Sequence, residues 1–280
     1  MLKGIDVTAR ILITGAAGIV GTLMRTRLAA PDRTLRLLDI AELPPAAEGE
    51  RVELVTASVT DEAAMEAACA DVDAVIHLGG HSLERPWAQI LDVNINGTHV
   101  VLEAARRAGV SRVVLASSNH AVGYYERASG EAGDYLFPQP DTYYGVSKVA
   151  LEALGSLYAS RYGMDVIAVR IGSCFEKPRD FRMLSTWLSP DDGARLFEAC
   201  LAAPSPGFRV IWGVSDNTRR WFSLTEAESL GYKSLDNSEV YAEEVLAASG
   251  EPPADSPARV YLGGVWCSPE FDTAVKEAGR

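Results

Sequence analysis

The chain has 280 residues, 48% of them hydrophobic, with a formal net charge of −12 and a sequence pI of about 4.9. This length suits one large domain, or one domain with a small lobe, around a sizeable core. The acidic balance argues against nucleic acids and anionic membranes as partners, because like charges repel each other.

The first 170 residues alternate short β-branched or leucine-rich runs with longer stretches whose apolar residues recur at helical spacing. Six strands are predicted over residues 10–14, 34–39, 51–56, 74–78, 112–116 and 166–170. Helices are predicted over residues 20–28, 61–69, about 87–107 and 147–162, the last ending at Gly163 as a C-cap. This alternation predicts an α/β fold with a doubly wound parallel sheet, the Rossmann fold, covered by helices on both faces.

The alternation stops after residue 170. Residues 171–190 contain Gly172, Pro178 and Pro190 and are predicted to form a loop. A helix over 191–203, a strand over 208–212 and a helix over 238–248 follow. We therefore expect a Rossmann domain over residues 1–170 and a small irregular C-terminal substrate lobe over residues 171–280. The lobe would pack on the same domain, at the carboxyl edge of the sheet where ligands of such sheets bind.

A glycine-rich loop joins the first predicted strand to the first predicted helix. In it, Gly15 allows a tight turn, Gly18 allows close approach to a pyrophosphate, and Gly21 allows the helix to pack on the strand. The free N–H groups at the start of the helix, near Ile19, would bind the phosphates. The spacing is G-x-x-G-x-x-G rather than the commoner G-x-G-x-x-G. The position of the loop between a strand and a helix predicts a dinucleotide-binding domain.

An acidic residue ends the second predicted strand, 18 residues after Gly21. A carboxylate at this point, Asp39, accepts hydrogen bonds from ribose hydroxyls and repels a 2′-phosphate, so the sequence favours NAD over NADP. The neighbouring strand ends are expected to line the rest of the cofactor. The expected contacts at these strand ends are Leu38, Asp39, Ile40, Ser58, Val59, Leu78, Gly79 and Gly80. His77 and His81 have a spacing seen in metal sites, but a structural role is expected for His77 and no metal is predicted.

Tyr144 and Lys148 are four residues apart, which puts both side chains on one face of a helix. A free tyrosine has a pKa near 10. A nearby lysine charge, together with the positive nicotinamide ring, favours the phenolate. Tyr144 would then take a hydroxyl proton while hydride leaves the same carbon, and Lys148 would also hold the nicotinamide ribose.

The fifth predicted strand ends in a polar run. Ser118, Asn119 and His120 follow Ser117 there and are placed to hold the reacting hydroxyl and its neighbours, whereas Ser117 is predicted to face the core. Whether Ser118 or Asn119 polarises the reacting oxygen stays open at this point.

The cysteines and the N-terminal segment indicate the cellular compartment. Cys69, Cys174, Cys200 and Cys267 form no Cys-x-x-Cys pair, and scattered thiols are typical of a reduced compartment. The N-terminal apolar run is short and leads into the glycine loop, unlike a secretory signal. No stretch approaches the roughly 20 apolar residues that span a bilayer. We expect a cytoplasmic protein.

Taken together, the TGAAGIVG loop, Asp39, the NINGT run at 94–98 and the YGVSK run at 144–148 resemble the extended short-chain dehydrogenase/reductase superfamily. Less generic segments narrow the resemblance to the uronate dehydrogenases, NAD enzymes that act on hexuronic acids. These segments are HLGGHSLERPWAQIL, ASSNHAVGYY, RIGSCFEKPRDFRMLSTW and VIWGVS. The run after the fifth strand differs from the S-S-x-x-V-Y-G usual in sugar-nucleotide epimerases, and 280 residues leave less room for a nucleotide-diphosphate site.

The resemblance implies oxidation of D-galacturonate or D-glucuronate at the anomeric carbon, giving the aldarolactone and NADH, with Tyr144 as proton acceptor and Lys148 as its partner. The substrate contacts that it implies are Ser82, Ser118, Asn119, His120, Ser173 and Arg182, and Cys174 would touch the cofactor. An arginine suits a uronate carboxylate, since the two form a bidentate charge-assisted pair. Many relatives carry aspartate where this chain has Ser58, and the usual catalytic serine aligns with Asn119.

Two other functions are consistent with the same fold. A sugar-nucleotide epimerase, dehydratase or reductase would retain NAD and need a nucleotide-diphosphate site. An NAD-binding redox sensor could lose the tyrosine–lysine pair, which this chain keeps. The preferred uronate epimer is open, and a homo-oligomer is expected by analogy alone.

Overall fold

The computed structural model describes residues 9–271. The strands are β1 (Arg10–Thr14), β2 (Thr34–Asp39), β3 (Val52–Thr56), β4 (Ala74–His77), β5 (Arg112–Ser118), β6 (Asp165–Ile171), β7 (Ser173–Cys174), β8 (Trp187–Leu188) and β9 (Phe208–Gly213). Seven of them form one parallel sheet in the spatial order β3-β2-β1-β4-β5-β6-β9, while β7 and β8 pair separately. The sheet order reverses between β1 and β4, which confirms the predicted doubly wound Rossmann fold.

Ten α-helices are found in the described residues. They are α1 (Ile19–Arg27), α2 (Glu62–Cys69), α3 (Trp87–Gln89), α4 (Gly97–Arg107), α5 (Tyr143–Tyr162), α6 (Met183–Thr186), α7 (Pro190–Ala202), α8 (Thr225–Ser229), α9 (Ala242–Ser249) and α10 (Pro257–Val260). A π-helix, Ile90–Asn96, connects α3 to α4. Short 3-10 helices cover Asn119–Val122, Arg127–Ser129, Ser238–Tyr241 and Gly264–Cys267. None of the helices between residues 9 and 271 is long and apolar enough to cross a membrane.

The core consists of two hydrophobic layers, one on each face of the sheet. Along β1, Ile11 and Ile13 belong to one layer and Leu12 to the other, because successive side chains of a strand point to opposite faces. Helices α1 and α7 contribute Met24 and Phe197 to the first layer, and α2, α4 and α5 cover the second. All four cysteines are buried free thiols.

Three predicted elements need correction. The predicted helix over 87–107 is three segments, since its middle is a π-helix whose buried Asn94 bonds outside the helix. Helix α5 starts at Tyr143 rather than at the predicted residue 147, because the Thr142 side chain caps it by accepting the Gly145 amide at 3.1 Å. The predicted loop over 171–190 contains β7, α6 and β8.

The chain after residue 170 contributes to the sheet. Strand β9 pairs in parallel with β6, with Val166 opposite Phe208 and Ile171 opposite Gly213. The division at residue 170 stays a prediction, but the seventh strand of the Rossmann sheet comes from the part assigned to the lobe. The predicted helix over 238–248 is a 3-10 turn followed by α9, and Gly163 ends α5 in the left-handed conformation, φ 69°, as expected for a C-cap.

Candidate active site

The glycine loop lies between β1 and α1 and is tightly packed against the end of β4. Gly15 has φ +71°, and a Cβ there would come within 2.6 Å of the Leu78 carbonyl carbon. A Cβ on Gly21 would come within 2.5 Å of the Gly15 carbonyl oxygen. Gly18 is the extended N-cap of α1 and supplies no side-chain cap, and Ile19 beside it is 57% exposed. The first amides of α1 therefore have no side-chain cap, and the loop of glycines and alanines before them carries no polar side chain, which fits a bound pyrophosphate.

Asp39 stands at the end of β2, beside this loop. Its carboxylate accepts the Ala17 amide at 2.9 Å through Oδ2 and the Ala41 amide at 3.0 Å through Oδ1. Because a carboxylate has about four acceptor positions, these bonds leave room for ribose hydroxyls. The flanking residues differ, since Leu38 is buried and Ile40 is 74% exposed. The glycines and Asp39 together fit an NAD molecule without a 2′-phosphate.

The next two strand ends close the same side of the cleft. After β3, the Ser58 hydroxyl bonds the Thr60 hydroxyl at 2.8 Å and buried Val59 packs against Gly79, where a Cβ would come within 2.7 Å of it. After β4, Gly80 has φ +147°. His77 is fully buried between Thr14 and Thr98, and burial lowers its pKa to about 3, which agrees with a structural role. Residues 9–271 contain no cluster of three or more His, Cys, Asp or Glu side chains that could hold a metal ion.

Tyr144 and Lys148 lie in the first two turns of α5, and both are buried. The Lys148 ammonium is 5.3 Å from the centroid of the Tyr144 ring and donates to the Ala116 carbonyl at 2.7 Å. Burial raises the pKa of Tyr144 to about 12, although a hydrogen bond from Ser118 opposes the shift. Burial also lowers the pKa of Lys148 to about 8, against the attraction of Glu152. The phenol of Tyr144 is therefore the favoured form in the protein alone.

The polar run at the end of β5 brings Ser118 and His120 to Tyr144, with Asn119 between them in the chain. The Ser118 hydroxyl accepts the His120 amide at 3.2 Å, and it faces the Tyr144 phenol, whose pKa it lowers. The His120 ring meets the Tyr144 ring edge-on, with centroids 5.9 Å apart. In the amide orientation that satisfies both its polar atoms, Asn119 donates to the Ile171 carbonyl at 3.1 Å and accepts from Arg182 Nη2 at 2.6 Å. Ser117 is buried behind this run and donates to Glu152, so the predicted core position is correct.

Arg182 lies just before α6 and reaches the same cluster. Its Nε donates to the Leu262 carbonyl at 2.9 Å, and burial lowers the pKa of its guanidinium. The bonds to Leu262 and Asn119 use two of the five N–H groups of Arg182. Ser173 is buried in β7, and its hydroxyl lies 3.0 Å from the Thr186 hydroxyl at the end of α6. Cys174 is next to it, and burial raises the pKa of its thiol to about 12.

The loop after β4 contains Ser82 and is held against α5 by hydrogen bonds. Ser82 itself is exposed. The side chain of Asn94 accepts the His81 amide and donates to the His81 carbonyl, and it also donates to the Ser147 hydroxyl at 3.1 Å. Glu84 accepts the Tyr144 amide at 2.8 Å and the Tyr143 amide at 3.3 Å. A carboxylate at a helix N-terminus is stabilising and fixes the start of the helix. The sequence analysis missed Glu84, because nothing in its local pattern links it to a helix 60 residues later.

The C-terminal segment, defined here as residues 261–267, covers the cluster from outside and was not assigned to the site. The Leu262 amide donates to the Tyr125 carbonyl and the Gly263 amide to the Gly123 carbonyl, at 3.0 and 2.8 Å. Trp266 stacks on His120 with ring centroids 3.9 Å apart. The WC pair at 266–267, in a tail otherwise rich in Gly and Pro, was the only signal available in the sequence.

Known proteins provide an independent comparison. The model of the NAD dependent epimerase/dehydratase family matches residues 11–186. The uronate dehydrogenase of Pseudomonas syringae pv. tomato is 45% identical over 258 residues, which cover 92% of each chain. The crystal structure of uronate dehydrogenase from Agrobacterium tumefaciens has a TM-score of 0.89 at 40% identity, covering 95% of this chain and 99% of the other. A tyrosine-to-alanine mutant of that enzyme, complexed with NAD, has a TM-score of 0.88 at 39% identity, covering 94% and 98%.

Proposed function

This chain belongs to the NAD-dependent epimerase/dehydratase family and, within it, to the uronate dehydrogenases, and from that premise we propose that it oxidises a hexuronic acid with NAD. D-Galacturonate or D-glucuronate would lose its anomeric C–H and O–H hydrogens to give the aldarolactone and NADH. The observation that carries the proposal is a pair of contacts made by neighbouring residues: Ser118 acts on the Tyr144 phenol, and Asn119 accepts from Arg182. This supports the proposal that the proton acceptor and the cation that binds the carboxylate belong to one site.

The proton of the anomeric hydroxyl goes to the Tyr144 oxygen. Because burial holds the pKa of that phenol near 12 in the protein alone, the phenolate needs positive charge beside it. Lys148 supplies one such charge, since a pKa of about 8 keeps it protonated at neutral pH. NAD, when bound, supplies the acceptor for the hydrogen and electron pair that leave the anomeric carbon. Gly15, Gly18, Gly21 and Asp39 would hold it, with Lys148 at its ribose.

Ser118 and Asn119 have different surroundings, which supports different roles for them in this proposal. The Ser118 hydroxyl faces the Tyr144 phenol and lowers its pKa, which supports a role in holding the reacting oxygen. Both polar atoms of the Asn119 amide are engaged, one by Ile171 and the other by Arg182. We therefore assign Ser118 to the reacting oxygen and Asn119 to holding Arg182. The N–H groups of Arg182 beyond those two contacts would bind the carboxylate of the uronate.

The proposal is tested by NADH formation with purified protein, NAD and either uronate. D-Galactose, D-glucose and UDP-glucose are the controls, because the first two lack the carboxylate and the third tests the sugar-nucleotide alternative. We expect NADH from the uronates alone, with the lactone as the NMR-detected product. Turnover of UDP-glucose with silence on both uronates would replace this function by the alternative. The expected homo-oligomer and cytoplasmic location stay predictions.

A further inference from the structure

A fully buried carboxylate, Asp141, lies next to the proposed substrate site and takes no part in the function described above. Its side chain has 0% exposure. Three glycines make room for it, since a Cβ on Gly123 or Gly263 would overlap its Oδ2, and a Cβ on Gly145 would come within 3.1 Å of its Oδ1. These glycines come from three different segments of the chain. The surrounding backbone is thus shaped around this carboxylate, which is costly to bury without partners.

The partners of Asp141 are known. Its Oδ2 lies 2.6 Å from Nδ1 of His120, and its Oδ1 accepts the Thr142 hydroxyl at 3.0 Å. Because a carboxylate ordinarily accepts hydrogen bonds, this contact favours the tautomer with the proton on Nδ1 of the imidazole. Asp141 therefore fixes the tautomer of His120.

Two aromatic rings also contact the His120 ring. Trp266 stacks on one face at 3.9 Å between centroids, with 23° between the ring planes. Tyr144 meets the ring at 69° and 5.9 Å. The ring is therefore fixed in orientation by aromatic contacts and in tautomer by Asp141, directly beside the proton acceptor of the reaction.

We propose that Asp141 is a positioning residue for His120, which it holds with the proton on Nδ1 so that Nε2 offers a lone pair to a hydroxyl group of the substrate. This inference rests on the proposed function and on the substrate contact that the sequence resemblance implies for His120. It assigns the two recognition tasks to different side chains. His120 accepts from a sugar hydroxyl, and Arg182 donates to the carboxylate.

The electrostatics agree with this division. Burial lowers the pKa of His120 and the charge of Arg182 lowers it further, although Asp141 opposes both. With a lowered pKa the ring is neutral at pH 7, and a neutral ring protonated on Nδ1 has an acceptor at Nε2. An acceptor at this position suits an O–H group and repels a carboxylate.

The first test is the tautomer itself, measured by ¹H–¹⁵N correlation spectra of the imidazole nitrogens at pH 7. The chain has four histidines, so the His120 signals are identified by their loss in His120→Gln. We expect a protonated Nδ1 and an unprotonated Nε2 in the wild-type protein. A proton on Nε2 would overturn the proposal. This measurement needs no turnover, so it remains decisive even if the uronate activity itself is absent.

The second test is a comparison of uronate kinetics between variants. Asp141→Ala should lower kcat/KM for the uronate about 10- to 100-fold, as expected for a lost bond to a charged group. KM for NAD should be unchanged. Asp141→Asn should recover part of the loss, because its amide oxygen can still accept from Nδ1. Asp192→Asn is the matched control. The Asp192 carboxylate, in α7, is also 0% exposed, but it accepts from the Ser234 hydroxyl and the Leu235 amide instead of from His120.

The control should lose stability without losing kcat/KM. If Asp141→Ala keeps wild-type kinetics, or if Asp141→Asn and Asp192→Asn lose activity in proportion to stability alone, Asp141 has only a structural role. Absence of uronate oxidation by the wild-type protein would instead disprove the proposed function.

Discussion

Tyr144 and Lys148 illustrate what residue spacing can and cannot predict. Their separation of four positions put both on one helix face, which the structure confirms. Spacing carries no information on burial, however, and burial raises the pKa of Tyr144 while it lowers that of Lys148. The phenolate expected from the sequence is therefore disfavoured in the protein alone. The Ala116 carbonyl, rather than the phenol oxygen, accepts from the lysine.

Replacing Tyr144 by phenylalanine tests its role as proton acceptor. The ring and its contacts with His120 and Trp266 are kept, so the variant should fold with a wild-type Tm and bind NAD. Uronate turnover should fall about 10²- to 10⁴-fold, the usual contribution of general acid–base catalysis. Steady-state kinetics and an NAD titration of the same preparation check this. A wild-type kcat would exclude Tyr144 as the base.

Arg182→Lys tests recognition of the substrate carboxylate. The lysine keeps the positive charge but loses the planar fork that binds Leu262 and Asn119 and that is proposed to bind the carboxylate. KM for the uronate should rise about 10- to 100-fold while KM for NAD stays unchanged. Arg179→Lys is the control, because Arg179 is exposed in the same loop and stacks on Phe175. An equal rise in both variants would show that the loop, not the carboxylate contact, is affected.

At the scale of elements, we expect separable tasks for two glycines where β1 leads into α1: Gly18, the N-cap of α1, and Gly21, in its first turn. In Gly21→Ala the new methyl would meet the Gly15 carbonyl oxygen and the Ala16 backbone within 2.7 Å. Because backbone atoms cannot move aside cheaply, the free energy of unfolding should drop by about 1–3 kcal/mol. Gly18→Ala meets only the Gly15 oxygen, at 3.2 Å, so it should remain stable but bind NAD more weakly.

Thermal unfolding and NAD titrations of both variants check this division. The expected pattern is a large Tm loss for Gly21→Ala and a mainly affinity-based loss for Gly18→Ala. Equal losses of Tm in the two variants would contradict separate structural and cofactor-binding tasks.

Elements with strong local patterns could be predicted, and those defined by distant contacts could not. The apolar runs of β1 and β2 gave the observed bounds, because strands buried on both faces need continuous apolar sequence. The start of α5 was missed, since its first residues, Tyr143 to Gly145, are weak helix formers. Thr142 and the remote Glu84 stabilise that end instead. The π-helix depends on Asn94, whose partners lie on other segments.

At the scale of the whole molecule, the site is completed by parts that are distant in sequence. Leu262 contacts Arg182 and Trp266 stacks on His120, so the C-terminal segment covers residues that follow β5 and β6. The residues near the carboxyl edge of the sheet could be predicted, because parallel strands end at one edge. A contact across some 140 positions has no periodicity in the sequence. Asp141 was missed for the same reason, since its surroundings combine Gly123, Gly145 and Gly263.

Gly263→Ala tests whether this long-range closure matters for activity. The position has an unstrained backbone, φ −70°, but a Cβ would overlap the Asp141 carboxylate and lie 2.9 Å from the Cys267 sulfur. Since Asp141 is enclosed, the segment should move outward and weaken the bond from Gly263 N–H to the Gly123 carbonyl. Hydrogen exchange of the Gly263 amide should therefore accelerate. Displacement of about 1 Å near Trp266 and Arg182 should lower kcat/KM on the uronate by about 10².

Gly133→Ala is the matched control, because a Cβ there meets nothing within 4 Å. It should leave both the exchange rate at residue 263 and the kinetics unchanged. The expected loss in Gly263→Ala is confined to the site, since the segment contacts the outside of the site and the seven-stranded sheet does not depend on it. A variant that exchanges faster at residue 263 but retains wild-type kcat/KM would show that the segment covers the site without shaping it. The contacts of His120 with Asp141 and of Arg182 with Asn119 would then suffice to hold the two side chains in place.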